Sequence, residues 1–377
     1  MDDPVDVPDV AGLTAIETRA LLDAVGGLEA RLREGDRALT DETALLEAYR
    51  WMFSILQVGL EAFVWADPSR PRFVEIVGPT LKWGGDNTDA YYRYAPIDPA
   101  TTYRVWGIRG DAVYFSLTVY GGPSDGRYSE RIVTSINERD LTFGDDGFFE
   151  FTISPDEHDA TPWLALEPDA VCAITRDYLE DPEHGRRMEW HIEAIGGDPD
   201  GWKLDDAELA RRLRATRTWV EEQAQIVPVI LADPNTMADP YPVPQQTFGW
   251  AAGDASYAMG SFDLAEDEAM VIEGTSPENA FWNCCLWNEL LHTFDYAYAR
   301  TPDAGDGSGR VSINGSQLTL EADGSWRIIV SEQDPGVPNW LWTQGHHHGL
   351  VWFRWFLPVA TPEPLTTRVV KTADLRS

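Results

Sequence analysis

Apolar residues near the start of the chain recur at three-to-five-residue spacing, the pattern of helices that bury one face. Leu13, Ile16, Leu21, Val25, Leu28 and Leu32 form a first stripe, and Leu45, Tyr49, Met52, Phe53, Leu56 and Leu60 a second. Gly35-Asp36 separates them, and Thr40-Asp41-Glu42 supplies a cap and an acidic first turn. Asp67-Pro68-Ser69-Arg70-Pro71 ends the second helix. A third helix starts near Asp205, where Asp205 and Glu208 have capping-box spacing; Leu209, Leu213, Thr216 and Val220 share one face. Arg211, Arg212, Arg214 and Arg217 on that helix read as a solvated face paired with carboxylates. Segments 102–119, 147–154, 311–320 and 326–330 are rich in β-branched and aromatic residues between turn signals, and predict strands.

The chain also repeats itself. Ser135-Ile136-Asn137, Asp146-Gly147, Ile153-Ser154 and Trp163-Leu164 return as Ser312-Ile313-Asn314, Asp323-Gly324, Val330-Ser331 and Trp340-Leu341, always 177 positions on. The Asp-Gly pairs suit hairpin turns, because Gly accepts positive φ. Upstream, 112–120 (AVYFSLTVY) parallels 279–287 (NAFWNCCLW), so the second stretch is expected to be a strand although Ser276-Pro277-Glu278 resembles a helix start. The expected fold is mainly β: two tandem jelly-roll-like β-sandwich modules with an N-terminal helical segment and a connecting helix. The corresponding boundaries are 1–72 for the helical segment, 73–200 for the first module, 201–248 for the connecting helix and a Pro-rich linker, and 249–377 for the second module.

Charge narrows the partners. A net charge of −34 repels phosphate backbones and anionic lipid surfaces, so neither nucleic acid nor a membrane is expected. Met1-Asp2-Asp3-Pro4 lacks a basic or apolar leader, and no apolar run reaches membrane-spanning length. Three cysteines, with Cys284 and Cys285 adjacent, fit a reduced, cytoplasmic setting better than disulfides.

Two motifs carry a family resemblance. Gly84-Gly85-Asp86-Asn87-Thr88-Asp89, followed by Tyr91 and Ala95-Pro96-Ile97-Asp98, resembles the Gly-Gly-Asp-Asn-Pro-Asp segment of the bacterial domain of unknown function twelve-fourteen. Asp334-Pro335-Gly336-Val337-Pro338-Asn339-Trp340-Leu341, Gly345-His346 and Phe353-Arg354-Trp355 resemble that family's C-terminal motif. The resemblance runs from about residue 45 onward and implies jelly-roll sandwiches related to a sister family, twelve-fifty-four; it implies no activity. Thr88 stands where the family has Pro, and His347 and His348 depart from its pattern, so a metal role for all three histidines would be peculiar to this chain.

The candidate chemistry has three centres. Asp86 and Asp89, three positions apart after a Gly-Gly turn, suit acid–base work or a hard cation, or else cap turn amides. In an extended chain His346 and His348 project to one side, where two imidazoles plus a carboxylate suit Zn²⁺ or Fe²⁺; His346 alone suits a general acid. Sixteen Trp form the third centre, as stacking platforms for a sugar or as plain core. Trp282, Asn283, Trp287 and Trp340, with Asn87 and Tyr91, would bind substrate, Asp86 or Asp89 would be the base, His346 the acid, and Arg354 would hold an anionic group. The Gly305–Gly309 loop with Asp303 offers at most a weak cation contact. The readings left open are a hydrolase or lyase acting on a polar small molecule or glycan, a divalent-metal enzyme, and a non-enzymatic scaffold forming homo-oligomers.

Overall fold

The computed structural model describes residues 12–35, 37–157, 162–196, 204–247, 249–296 and 309–376. The first eleven residues, and Asp303 with most of the loop after it, lie outside that set. Among the described residues no helix is long and apolar enough to cross a membrane.

Helix α1 spans Gly12–Arg33 and α2 Glu42–Gly59, with a wider π-helical turn, Leu60–Val64, prolonging α2. Asp41 caps α2 by accepting the Ala44 N–H at 3.0 Å. Helix α3, Asp206–Ile226, is capped by Asp205, which accepts the Glu208 N–H at 2.8 Å. The expected capping box is only half formed, because the Glu208 carboxylate turns to Arg211 and Arg212, each at 2.7 Å. The arginine-rich face is paired, Arg214 and Arg217 meeting Glu17 and Glu221, but it is not solvated throughout: Arg212 is buried and donates to the Val64 and Ala66 carbonyls. Asp206 accepts the opening N–H groups of α1, those of Leu13 and Thr14, at 3.0 and 2.9 Å. Of the first apolar stripe Leu21, Leu28 and Leu32 are buried, while Leu13 and Ile16 are exposed, as is Phe53 of the second. The buried three follow a seven-then-four spacing, a narrower seam than the stripe read from the sequence.

The first half contributes β1 Val74–Val77, β2 Ala90–Pro96, β3 Thr102–Ile108, β4 Tyr114–Gly121, β5 Arg131–Asn137, β6 Phe148–Ser154, β7 Trp163–Ala165, β8 Ala170–Tyr178 and β9 Glu189–Ile195. The second contributes β10 Thr236–Met237, β11 Tyr241–Pro242, β12 Ala255–Asp263, β13 Glu268–Gly274, β14 Phe281–Asn288, β15 His292–Thr293, β16 Ser312–Asn314, β17 Trp326–Ser331, β18 Trp340–Trp342, β19 His348–Phe356 and β20 Thr366–Lys371. They form four sheets. In the first module β1-β2-β8-β4-β5 lies over β7-β6-β3-β9; in the second β12-β19-β14-β16, with β10, β11 and β15 at its margins, lies over β18-β17-β13-β20.

Exchanging β2, β8, β4 and β5 for β12, β19, β14 and β16 turns one large sheet into the other. The small sheets correspond in the same way, including their parallel pair: Ile153 faces Leu164, and Val330 faces Leu341, 177 residues on. Ser135 and Ser312 sit at equivalent points, opposite Thr118 and Cys285. The protein is therefore two copies of one β-sandwich, and 279–287 lies largely in a strand, as its parallel with 112–120 implied.

Three expectations change. Segment 102–119 is two strands, broken by a turn after Ile108, and they belong to different sheets. Of 311–320 only Ser312–Asn314 is strand, because Asn314 bends the chain by accepting the Ser316 N–H at 3.2 Å. The Asp-Gly pairs are not hairpins: β5 and β6, like β16 and β17, lie in different sheets. Each Asp instead accepts an N–H two residues on, Phe148 from Asp146 and Ser325 from Asp323, both at 3.0 Å.

Both faces of each large sheet are buried, so its central strands are covered throughout, as in β4 and β14. Alternation sorts the side chains. Phe115, Leu117 and Val119 of β4 face the core of the first sandwich, with Val105, Phe149, Phe151 and Ile153. Trp282, Cys284 and Leu286 of β14 face the second, with Trp326, Phe353 and Trp355. The opposite faces turn toward each other and toward the helices. Tyr114 and Tyr178 pack on Phe281 and Phe356, while Trp51, Trp83, Tyr94 and Trp219 join the helices to the first sheet.

Candidate functional site

The contact between the modules has an internal two-fold character. In sheet register Tyr114 corresponds to Phe281 and Tyr178 to Phe356. The ring pair Tyr178–Phe281, 5.1 Å apart, is thus the counterpart of Phe356–Tyr114, 4.5 Å apart, and Tyr178 meets its own counterpart Phe356 at 4.3 Å. This is the geometry of an isologous dimer interface, made within one chain.

The polar contacts repeat the symmetry. Asp89, just before β2, accepts from Asn283 of the second module at 2.8 Å. Asp254, just before β12, accepts from Tyr114 and Asn137 of the first at 2.6 and 3.3 Å. The backbone oxygens of Asp89 and Asp254 each accept an N–H at 2.9 Å, from Leu179 and Leu357. The Gly-Gly turn is built for this contact. Gly84 and Gly85 take positive φ, and a Cβ on Gly85 would lie 2.8 Å from the Trp287 ring. Asn87 exchanges hydrogen bonds with Asn283 at 2.7 and 3.2 Å, and Thr88 donates to Ser312 at 2.7 Å.

Arg176 on β8 and Arg354 on β19 are counterparts as well, opposite Tyr92 and Tyr257. Each crosses to the other module's turn: Arg354 donates to the Gly85 and Asp86 carbonyls, and Arg176 to the Trp250 carbonyl and, at 2.8 Å, to Tyr120. Both are buried, and among the described residues neither is ion-paired with a carboxylate. Burial opposes their charge, and surrounding tyrosine hydroxyls sustain it, those of Tyr120, Tyr257 and Tyr178 at Arg176 and of Tyr92 and Tyr178 at Arg354. Burial raises Tyr92 itself to about 12, keeping it a neutral hydroxyl.

Both guanidiniums line one cavity of about 410 Å³, within the range of small-molecule sites. Its walls are aromatic, with Trp83, Trp250, Trp287 and Trp352 among them, together with Tyr92, Tyr178 and Tyr257. The Pro-rich segment contributes Tyr241, Val243 and Pro244 to its rim. Trp287 and Trp352 stack at 4.8 Å, with Arg354 lying 4.7 Å over the Trp287 ring. Among the described residues three buried side-chain atoms of the lining have no partner, and all three are N–H donors: Gln223 Nε2, Trp287 Nε1 and Trp352 Nε1.

Of the residues singled out in the sequence, Asp86, Trp287 and Arg354 reach this cavity. Asp86 is buried with its oxygens on the Thr293 N–H and hydroxyl, at 2.7 and 2.5 Å, and burial pushes its carboxyl up against the pull of Lys82. Asn87, Asp89 and Asn283 form the buried clamp and do not line the cavity. Tyr91 turns away and lies beneath the Arg187 guanidinium at 3.5 Å. Trp282 is packed inside the second sandwich against Trp326 and Trp355, and Trp340 donates to the Ser331 carbonyl at 3.0 Å; neither lines the cavity.

His346 and His348 engage separate carboxylates. His346 Nε2 meets Glu47 of α2 at 3.2 Å and its ring stacks on Phe294 at 4.0 Å, while His348 meets Glu289 at 3.5 Å. Among the described residues no group of three or more His, Cys, Asp and Glu side chains is placed to hold a metal ion. His346 is also absent from the cavity wall, so Asp86 and His346 do not face a common ligand there.

Arg176 escaped the sequence reading. Its signal was the repeat itself, since Arg176 and Arg354 are counterparts 178 positions apart, one more than the spacing of the strands before them.

The family whose pattern matches is described as "Protein of unknown function (DUF1214)", over residues 89–182 and 261–360, and this chain belongs to it. The two matched segments fall on the two copies of the sandwich. Among solved structures, an uncharacterized protein from Burkholderia cenocepacia is similar at 26% identity and a TM-score of 0.83, covering 97% of this chain and 99% of its own. The VPA0106 protein from Vibrio parahaemolyticus is 12% identical with a TM-score of 0.45, covering 86% of this chain and 98% of its own. No curated protein matches.

Proposed function

We propose that this protein binds a small organic anion in the cavity between its two modules. The supporting observation is the pair of buried guanidiniums, without carboxylate partners among the described residues, opening onto one aromatic-walled space. An unpaired buried charge is costly, and a ligand of opposite sign removes that cost. The unpartnered donors of Gln223, Trp287 and Trp352 point to the same polarity, an acceptor-rich guest. Sugar hydrolysis by paired carboxylates has less support, because Asp86 reaches this cavity and Asp89 does not.

The test is a melting-temperature and calorimetry panel on the purified protein with acetate, benzoate, phosphate, neutral amides and monosaccharides. Organic anions are expected to bind and stabilise. Arg354→Gln keeps an amide donor for the Gly85 carbonyl and removes the charge; it is expected to weaken binding at least about tenfold. Stabilisation by sugars or neutral amides, with none by anions, defeats the proposal.

A further inference from the structure

We infer that the natural ligand carries two acidic groups on a flat body, a planar dicarboxylic acid or a close equivalent, with one group at Arg176 and the other at Arg354. This inference rests on the anion reading above and sharpens it.

The first ground is symmetry. Arg176 and Arg354 occupy counterpart positions on two copies of one sheet, and Tyr92 and Tyr257 stand opposite them as a second counterpart pair. Both arginines lie two residues from the rings that meet at the centre of the interface, Tyr178 and Phe356. The cavity is therefore lined by matched anchors on either side of an approximate two-fold, and a ligand with an acidic group at each end repeats that arrangement.

The second ground is unused bonding capacity. A guanidinium has five N–H donors. Arg354 uses two on protein acceptors and Arg176 three, one of these a long contact of 3.5 Å to Thr118. Arg354 keeps Nε–H and one Nη2–H for a two-point contact with a carboxylate, while Arg176, whose Nη2 is fully engaged, keeps Nε–H and an Nη1–H for single contacts with an acid group.

Charge supplies the third ground. Asp86 and Asp254 are among the carboxylates that sense these arginines, but their oxygens accept from Thr293 and from Tyr114 and Asn137, and among the described residues no carboxylate forms an ion pair with either guanidinium. A monoanion would give an ion-pair partner to one of the two guanidiniums, whereas a dianion serves both. The body between the charges is set by the walls: Trp83, Trp250, Trp287 and Trp352 offer ring faces and edges, which favour a flat unsaturated or aromatic core over a bulky one.

Calorimetric titration of the full chain with benzoate, phthalate, isophthalate, terephthalate and terephthalamide tests this. At least one dicarboxylate is expected to bind about tenfold or more tightly than benzoate, and the neutral diamide not at all. Arg176→Gln and Arg354→Gln are each expected to bring the preferred dicarboxylate down to about the affinity of benzoate. Equal affinity for benzoate and all three dicarboxylates overturns the two-acid inference while leaving the anion reading intact. So does a dicarboxylate preference that survives both substitutions. Failure of every anion to bind folded protein overturns both readings. Circular dichroism confirms folding of the variants, and if either fails to fold, the wild-type comparison of benzoate with the dicarboxylates still decides.

Discussion

At the scale of single residues, the Gly-Gly-Asp-Asn turn shows how far a motif can be read alone. Its glycines announce a tight, left-handed turn, and the structure has one. Its partners were hidden because they lie far along the chain: Asn283 is 196 residues from Asn87, and Thr293 is 207 from Asp86. A sequence shows which side chains can cap an amide, but not that the amide comes from another module. Asp89 consequently looked like half of an acid–base pair, whereas it is the twin of Asp254, and both are clamps. Substituting Asp254 by Ala strands the Tyr114 hydroxyl and the Asn137 amide in a buried place and is expected to cost about 1–3 kcal/mol. Urea denaturation measures it, and a loss below a few tenths of a kcal/mol would show that Asp254 does not hold the modules together.

At the scale of elements, helix caps and the repeated strands were legible because each depends on neighbours a few residues away. The limits of segment 311–320 were not, since an Asn turn at Asn314-Gly315 ends the strand partway through it. The histidine run belongs to this scale too, because His346 ties the loop before β19 to α2 through Glu47. Burial works against the imidazolium there, but the Glu47 hydrogen bond and charge prevail, so the folded value lies above 6.5. Asn288 also donates to Glu47 at 2.6 Å, while His292 nearby is held neutral by burial. A raised folded value means the imidazolium contributes its stability in full below about pH 6.5, and loses it as pH climbs through the elevated value. The melting temperature is accordingly expected to fall more steeply from pH 6 to pH 9 in the wild type than in His346→Gln. Parallel slopes would assign the pH response to other groups.

For the whole molecule, the repeat was the most informative thing in the sequence, because a recurrence of four features at one spacing carries topology with it. What it could not show was which faces meet. The arrangement found here is that of a dimer joined into one chain, so chain continuity between the halves should matter less than the surface between them. Cutting the chain at Ala232-Asp233, after α3, is expected to yield two fragments that co-elute as a one-to-one complex. Residues 233–377 expressed alone should self-associate through the bared faces of Phe281, Trp287 and Phe356. A stable monomer of that fragment in sedimentation would mean the interface contributes little.

The single extra residue between β18 and β19, relative to the stretch between β7 and β8, has one more consequence. A pleated ribbon keeps parity: odd and even places look opposite ways, and any insertion within it inverts everything downstream. The added residue falls in a loop, where there is no parity to keep. Deleting one amino acid from 343–347 should therefore leave Arg354 facing its guest. Deleting one in the first half of β19 should turn Arg354 to the core face, thrusting a guanidinium among Trp282 and Trp326 and leaving the pocket with a single anchor.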